Sequence, residues 1–501
     1  MDDPGPGRLA PAEPELTATE RAGERAAKNA TARAVGEIVG KLASLALFAV
    51  LAREVGQSEL GAFVFALAWV QIAAIPITLG LDRYILRLVA KDRSRIQEVY
   101  WNVLAFKLTL AVPMTIASFL LVSALGYGGD TRTAVYVLTA GVLLDSLART
   151  HYSLFNAYER SELLAICLVV QRVAAAALGL AVLAAGYGIV AVSITYTCGT
   201  ALGLVLAIAL LTRKIGRPRR SLTRERWPAL ASRSLPFAAQ DVFTVLLFKV
   251  DAVILSLMAA EAAVGRYGAA YRLFEATFFL TYALTGAFAP MYTYLERDSE
   301  PSVGSVFQRS LKLGLVALVP CAVAFGILAE PLCRLFFGAE FEAAADPLRL
   351  LAPVVVLIGL ATLCSSLIVS RRDPTIMVWV TAAMVALNVG LNVALIPSLD
   401  DTGAALAMLI TEAVLLVIAL TIAVRSVGGV RWVSTAVSPL VAGAAMAAPM
   451  LLLQDTLVPA ALAGTAVYAL VFIGLERVIS PVDLRFVGSM LRRRLPGRAA
   501  T

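Results

Sequence analysis

The amino-acid sequence predicts an all-α integral membrane protein of about fourteen transmembrane helices, with both termini on the inner side. Composition is the first observation behind this reading. Of 501 residues, 59% are hydrophobic and 16% charged, against roughly 25% charge in a soluble globular chain, and the mean hydropathy is +0.81. The second is that apolar stretches of about 20 residues, long enough to cross the hydrocarbon core as helices, recur along nearly the whole length. They lack the period-2 alternation of membrane strands, which excludes a barrel. The third is the placement of Lys and Arg, which fixes orientation.

Taken in order, residues 1–30 are rich in Pro, Ala, Glu and Arg and hold no apolar run. They are expected to form a disordered cytoplasmic tail, and without the apolar core of a signal peptide the first helix inserts uncleaved. Spans follow at 33–52, 61–81, 99–125, 133–157, 163–185 and 187–211, making an N-terminal six-helix lobe over residues 31–212. A basic cytoplasmic linker occupies 213–233. Spans at 234–258, 263–290, 309–329, 347–369, 375–397 and 403–424 make a C-terminal six-helix lobe over 234–425. Two extra helices, at 434–453 and 458–476, fill 426–480, and a basic cytoplasmic tail closes the chain at 481–501. Within that tail Leu484 to Arg498 is amphipathic and suits anchoring on anionic lipid.

With the N-terminus inside, the basic residues fall on inner connections. The second carries Arg83, Arg87, Lys91, Arg93 and Arg95, and the sixth carries Arg213, Lys214, Arg217, Arg219, Arg220, Arg224, Arg226 and Arg233. Outer connections hold only Arg53, Arg132, Arg266 and Arg334. A missed or invented helix would swap the two sets beyond that point. The halves also share a short pattern. Gly61-Ala62-Phe63 with Ala66 beyond is repeated as Gly265-Arg266-Tyr267 with Ala270 beyond, 204 residues later. Both copies enter the membrane from outside, as in a parallel repeat.

The net charge of +8 sits in short inter-helical loops, so topology accounts for it and a nucleic-acid partner is not expected. Cys167, Cys198, Cys321, Cys333 and Cys364 have no paired spacing, which argues against a disulfide framework or zinc site. His151 is the sole histidine and is expected at the headgroups near the inner end of its span. There is no P-loop, and the outer loops are too short to house a glycosyltransferase or ligase site. No enzyme activity and no cofactor is expected.

Two stretches carry a family resemblance. The first is Leu51-Ala52-Arg53-Glu54-Val55-Gly56, then Leu60-Gly61-Ala62-Phe63, then Leu79-Gly80-Leu81-Asp82-Arg83-Tyr84-Ile85-Leu86-Arg87. The second is Ser234-Leu235-Pro236-Phe237, Lys249-Val250-Asp251-Ala252-Val253-Ile254-Leu255, Val264-Gly265-Arg266-Tyr267 and Ala270-Tyr271-Arg272-Leu273. This resembles the polysaccharide-exporter (Wzx-like oligosaccharide flippase) family, in the superfamily that includes MATE exporters and the MurJ lipid II flippase. The resemblance implies two pseudo-symmetric lobes facing a central cavity that opens alternately to each side. It also implies a bacterial inner-membrane flippase that moves polyprenyl-pyrophosphate-linked oligosaccharide outwards for cell-surface polysaccharide. A polysaccharide polymerase would then act downstream. A MATE-type cation-coupled drug antiporter and a lipid II flippase are the alternatives.

Charges inside spans are costly and concentrate in spans 1, 3, 4, 5, 7 and 8, which predicts a polar cavity built by both halves. Lys41, Lys107, Arg172, Lys249 and Arg272 are the expected cationic lining, suited to the phosphates of a lipid-linked glycan. Local ion pairing, as at Glu37 and Lys41, Asp145 and Arg149, or Arg272 and Glu275, is the competing role. Asp145, Asp241, Asp251, Glu275 and Glu412 are the candidates for coupling to protons or sodium. On this reading Lys107→Ala and Arg172→Ala each abolish transport without loss of expression.

Overall fold

The computed structural model describes residues 18–295, 302–373 and 375–479. Residues 1–17 and the basic tail 481–501 lie outside the described residues, as does the side chain of Glu37. Among the described residues all regular structure is helical. The N-terminal half contains α1 (Ala18–Ala73), α2 (Ile75–Thr78), α3 (Leu81–Lys91), α4 (Ile96–Ala124), α5 (Gly129–Ala157), α6 (Ser161–Ala184) and α7 (Ile189–Lys214). The C-terminal half contains α8 (Trp227–Met258), α9 (Glu261–Ala276), α10 (Phe278–Tyr294), α11 (Val303–Ile327), α12 (Ala329–Phe337), α13 (Ala345–Arg371) and α14 (Thr375–Val427). The pair α15 (Ser438–Leu452) and α16 (Leu457–Ile479) follows.

Nine stretches among the described residues are long and apolar enough to cross a membrane. Two of them bend back on themselves, α1 at Gly56 and α14 at Asp400, and so cross twice. The crossings at α5, α8 and the α9–α10 rod complete the fourteen. The first two are more heavily charged, and the third is broken at Thr277 into two short helices. At the α1 bend Gly56 takes φ 74°, a conformation only glycine adopts readily.

The structure departs from the sequence reading at three places. Helix α1 begins at Ala18, inside the stretch expected to be a disordered tail, because the alanine-rich run from Ala18 favours helix. The second crossing does not run straight to residue 81. Pro76 opens the short α2, Leu79 and Gly80 turn left-handed, and the chain restarts as the amphipathic α3. The stretch left between the spans expected at 309–329 and 347–369 is largely α12 and a 3₁₀ turn over Ala339–Ala344.

Lipid offers no hydrophobic driving force between helices, so close packing must come from small residues and polar contacts. Helix α4 shows the division of faces. Leu108, Val112, Ile116 and Leu120, four residues apart, are exposed to lipid, while Val103, Lys107, Ala111, Ser118 and Val122 are buried. The two halves meet chiefly where the outer arm of α1 crosses α9. There the repeated glycines meet. A Cβ on Gly61 would strike the Glu261 carbonyl, and one on Gly265 would strike that of Gln57. Position 261 is 57 plus the same 204-residue offset, so the crossing is symmetric about a pseudo-twofold. The last pair, α15 and α16, packs on α11 and is fixed there by a buried ion pair between Lys312 and Glu476.

Candidate functional site

The two halves enclose a cavity of about 880 Å³. Its outer end is sealed by the glycine crossing and by a polar clamp on the α1 bend. Arg53 donates to the carbonyls of Leu335 and Phe336, and Gln57 bonds Glu340 through backbone and side chain. Arg266 of α9 pairs with Asp401 of α14 at 2.8 Å. The lining runs from this seal towards the side of the basic connections, taking in Asp82 and Arg83 of α3 and Asn156 near the end of α5.

Among the described residues six basic side chains line it: Lys41, Arg83, Arg149, Arg172, Lys249 and Arg272. Four acidic ones do so: Asp82, Asp145, Asp241 and Glu275. The lining therefore carries two more basic than acidic groups. Three sets of contacts organise it. On the α1–α9 wall Glu275 lies 3.1 Å from Arg272 and 3.6 Å from Lys41. The same cations rest on aromatic faces: Arg272 over Phe48 at 4.4 Å and Lys41 over Phe278 at 5.7 Å, with Lys249 over Tyr271 at 5.2 Å. On the α5–α6 wall Asp145 pairs with Arg149 at 2.6 Å and accepts from Gln171, which in turn accepts from Tyr152. At the inner end Arg83 of α3 pairs with Asp241 of α8 at 2.7 Å, bridging the halves.

The structure thus brings Lys41, Arg172, Lys249 and Arg272 of the expected cations to one cavity. It places Lys107 elsewhere. That ammonium is fully buried behind the wall, 2.7 Å from Asp82 Oδ1 and 2.7 Å from the Ser146 carbonyl. Asp82 is its partner across helices, invisible at spacings of three or four residues. Of the expected coupling acids, Asp145, Asp241 and Glu275 line the cavity, whereas Asp251 and Glu412 do not. The latter two are buried within the C-terminal half, as are Asn388, Asn392 and Thr411. Tyr267 donates to Asp251 at 2.7 Å and touches the Met408 sulfur, one helical turn before Glu412. Asn388 reaches Thr411 at 3.5 Å. Asp251 Oδ1 and Asn392 Oδ1 are buried without a hydrogen-bond partner among the described residues.

His151 is likewise not at the headgroups. It is buried, hydrogen-bonded to Tyr100 and to the Leu147 carbonyl at 2.9 Å each. Sequence reasoning missed Asp82 and Arg83 as cavity residues because they read as loop charges. Their signal was the turn at Leu79-Gly80, which swings α3 under the cavity.

Fold and site together define a multi-pass membrane carrier, with two helical lobes around a charged central cavity. The chain belongs to the polysaccharide biosynthesis protein family, whose profile matches residues 26–295, more than half of its length. A curated relative, the probable low-salt glycan biosynthesis flippase Agl15 of Haloferax volcanii, is 23% identical over 367 residues, covering 72% of this chain and 76% of its own. Among solved structures the lipid II flippase MurJ in an inward closed conformation superposes with a TM-score of 0.76 at 15% identity, over 88% of this chain and 98% of its own. An inward-facing multidrug resistance MATE family transporter of the MOP superfamily gives 0.64 at 17% identity, over 78% and 94%. These two establish the fold.

Proposed function

We propose that the protein is a flippase that moves a polyprenyl-pyrophosphate-linked oligosaccharide across the membrane by alternating access, without covalent chemistry. The observation that carries this reading is the surplus of basic groups in a cavity sealed at its outer end. A diphosphate lipid needs clustered cations for its phosphates, whereas a site for cationic drugs calls for a surplus of acids. The volume of about 880 Å³ is in the range of ordinary ligand pockets and suits the pyrophosphate with its first sugars, the polyprenyl tail staying in lipid. The similarity to the glycan flippase Agl15 supports the same class of cargo. On this reading the protein sits in a bacterial cytoplasmic membrane, loads from the side of the basic connections and delivers to a polysaccharide polymerase.

Coupling is assigned to Asp251 and Glu412. Two buried carboxylates whose charges interact, one of them with an oxygen left without a hydrogen-bond partner among the described residues, call for a proton or a sodium ion as counter-charge. Lipid extraction and mass analysis after depletion of the protein test the whole reading. A polyprenyl-pyrophosphate oligosaccharide should accumulate. Accumulated lipid II would move the assignment to that substrate, and a normal profile with new sensitivity to cationic dyes would replace it with drug antiport.

A further inference from the structure

We propose that Glu275 is a resident counter-ion: it occupies the cationic cluster of Lys41 and Arg272 when the cavity is empty, and the substrate's pyrophosphate displaces it. The inference rests on the reading of the cavity as a diphosphate-lipid site.

Lys41 belongs to α1 and Arg272 to α9, so the two cations come from opposite halves, and Glu275 contacts both. The three groups are about a quarter exposed, all on the lining. Lys249 stands on the same wall, and the three cations lie over the aromatic faces of Phe48, Phe278 and Tyr271. A pyrophosphate offers two phosphoryl groups where Glu275 offers one carboxylate, and it can engage the same donors by charge-assisted hydrogen bonds of the same kind.

A carrier must return empty. Without an anion between them, Lys41 and Arg272 would repel across the α1–α9 wall where the two halves meet, and the empty protein would stall. A carboxylate tethered to α9 supplies that charge on the return stroke. It also weakens substrate binding, because the phosphate must replace it, and so favours release on the far side. Glu275 therefore acts as a positioning and release residue rather than as a proton carrier.

The test uses the full-length protein, with inorganic pyrophosphate as the probe for calorimetric affinity. In vesicles, a fluorescent short-chain polyprenyl pyrophosphate reports transport. Glu275→Gln should bind pyrophosphate about tenfold more tightly. It should lose net flipping of the lipid probe yet keep exchange when probe is present in both leaflets. Glu275→Asp should retain native affinity within about twofold and restore net flipping. Glu275→Ser should behave like Glu275→Gln, so a folding failure of one neutral variant leaves the question decidable. Neutral variants that bind pyrophosphate no more tightly than the native protein overturn the counter-ion role alone. Should the native protein not bind pyrophosphate, and Arg272→Gln change nothing, the diphosphate site itself is wrong and the counter-ion role goes with it.

Discussion

Two settings for acids lie side by side in the molecule: Asp82, Asp145, Asp241 and Glu275 stand at the cavity wall, whereas Asp251 and Glu412 are buried behind it in the C-terminal lobe. The cavity-facing acids are matched by basic partners, as Asp145 is by Arg149, Asp82 by Lys107, Asp241 by Arg83 and Glu275 by Arg272. Among the described residues the buried Asp251 accepts from the neutral Tyr267 hydroxyl, and its Oδ1 has no hydrogen-bond partner. Paired charges that face a cavity can exchange partners with an anionic cargo. Unpaired acids sealed from that cargo can answer only to small cations. On the proposed function the difference separates substrate contact from energy coupling, and it is open to direct attack.

The largest effect is expected at Lys107. Breaking a buried ion pair by removing one member costs roughly 3–5 kcal/mol, so Lys107→Ala should lower yield and thermal stability in detergent. Lys107→Met combined with Asp82→Asn should recover most of the loss, since both charges go together. Native-like stability of Lys107→Ala would mean that Asp82 is solvated and the wall looser than its geometry indicates. This replaces the expectation that Lys107→Ala leaves expression intact.

Arg172 is the contrasting case on the same lobe. It lines the cavity and packs across Gly40 of α1, where a Cβ would meet its guanidinium at 2.9 Å. Hydrogen bonds to a charged group are worth about 1.5–3 kcal/mol, so Arg172→Ala should weaken pyrophosphate binding by about ten- to a hundredfold. Yield should stay native. A calorimetric titration on the purified variant decides it, and unchanged affinity would remove α6 from the substrate site.

These two residues also show how far the sequence could be read. The number of crossings, the two halves and the extra pair were legible because apolar length is a local, additive signal. Four of five cations were placed at the cavity for a similar reason: charge inside a span must face something polar. Which polar thing it faces is a matter of tertiary contact. Lys107 and Asp82 are 25 positions apart, and Asp82 lies just past a turn that depends on left-handed Leu79 and Gly80. The glycine repeat was visible as a pattern, but its two copies meeting face to face required the fold.

For the C-terminal cluster, Asp251→Asn and Glu412→Gln should each cut net transport about tenfold. The remaining rate should no longer depend on a sodium or proton gradient. Pyrophosphate affinity should be unchanged, because neither residue reaches the cavity. Loss of affinity in either variant would collapse the division between cavity wall and buried cluster.

The smallest effect is expected where the lobes touch at the inner end. Arg83 and Asp241 form a good 2.7 Å pair, but their side chains are 51% and 30% exposed. Water and salt screen such a pair, and exposed pairs are worth about 0–1 kcal/mol. Arg83→Gln should therefore leave thermal stability within about 1 kcal/mol of native. Its consequence lies in the balance between conformations, since the pair exists only while α3 and α8 are together. An equilibrium near balance moves about fivefold for 1 kcal/mol, enough to raise labelling of a cysteine placed at Ser153, on the cavity wall, by an inner-side thiol reagent. The exchanged pair, Arg83→Asp with Asp241→Arg, should restore native labelling. High salt should erase the difference between native and variant, because it removes from the native protein the same contact that the substitution removes.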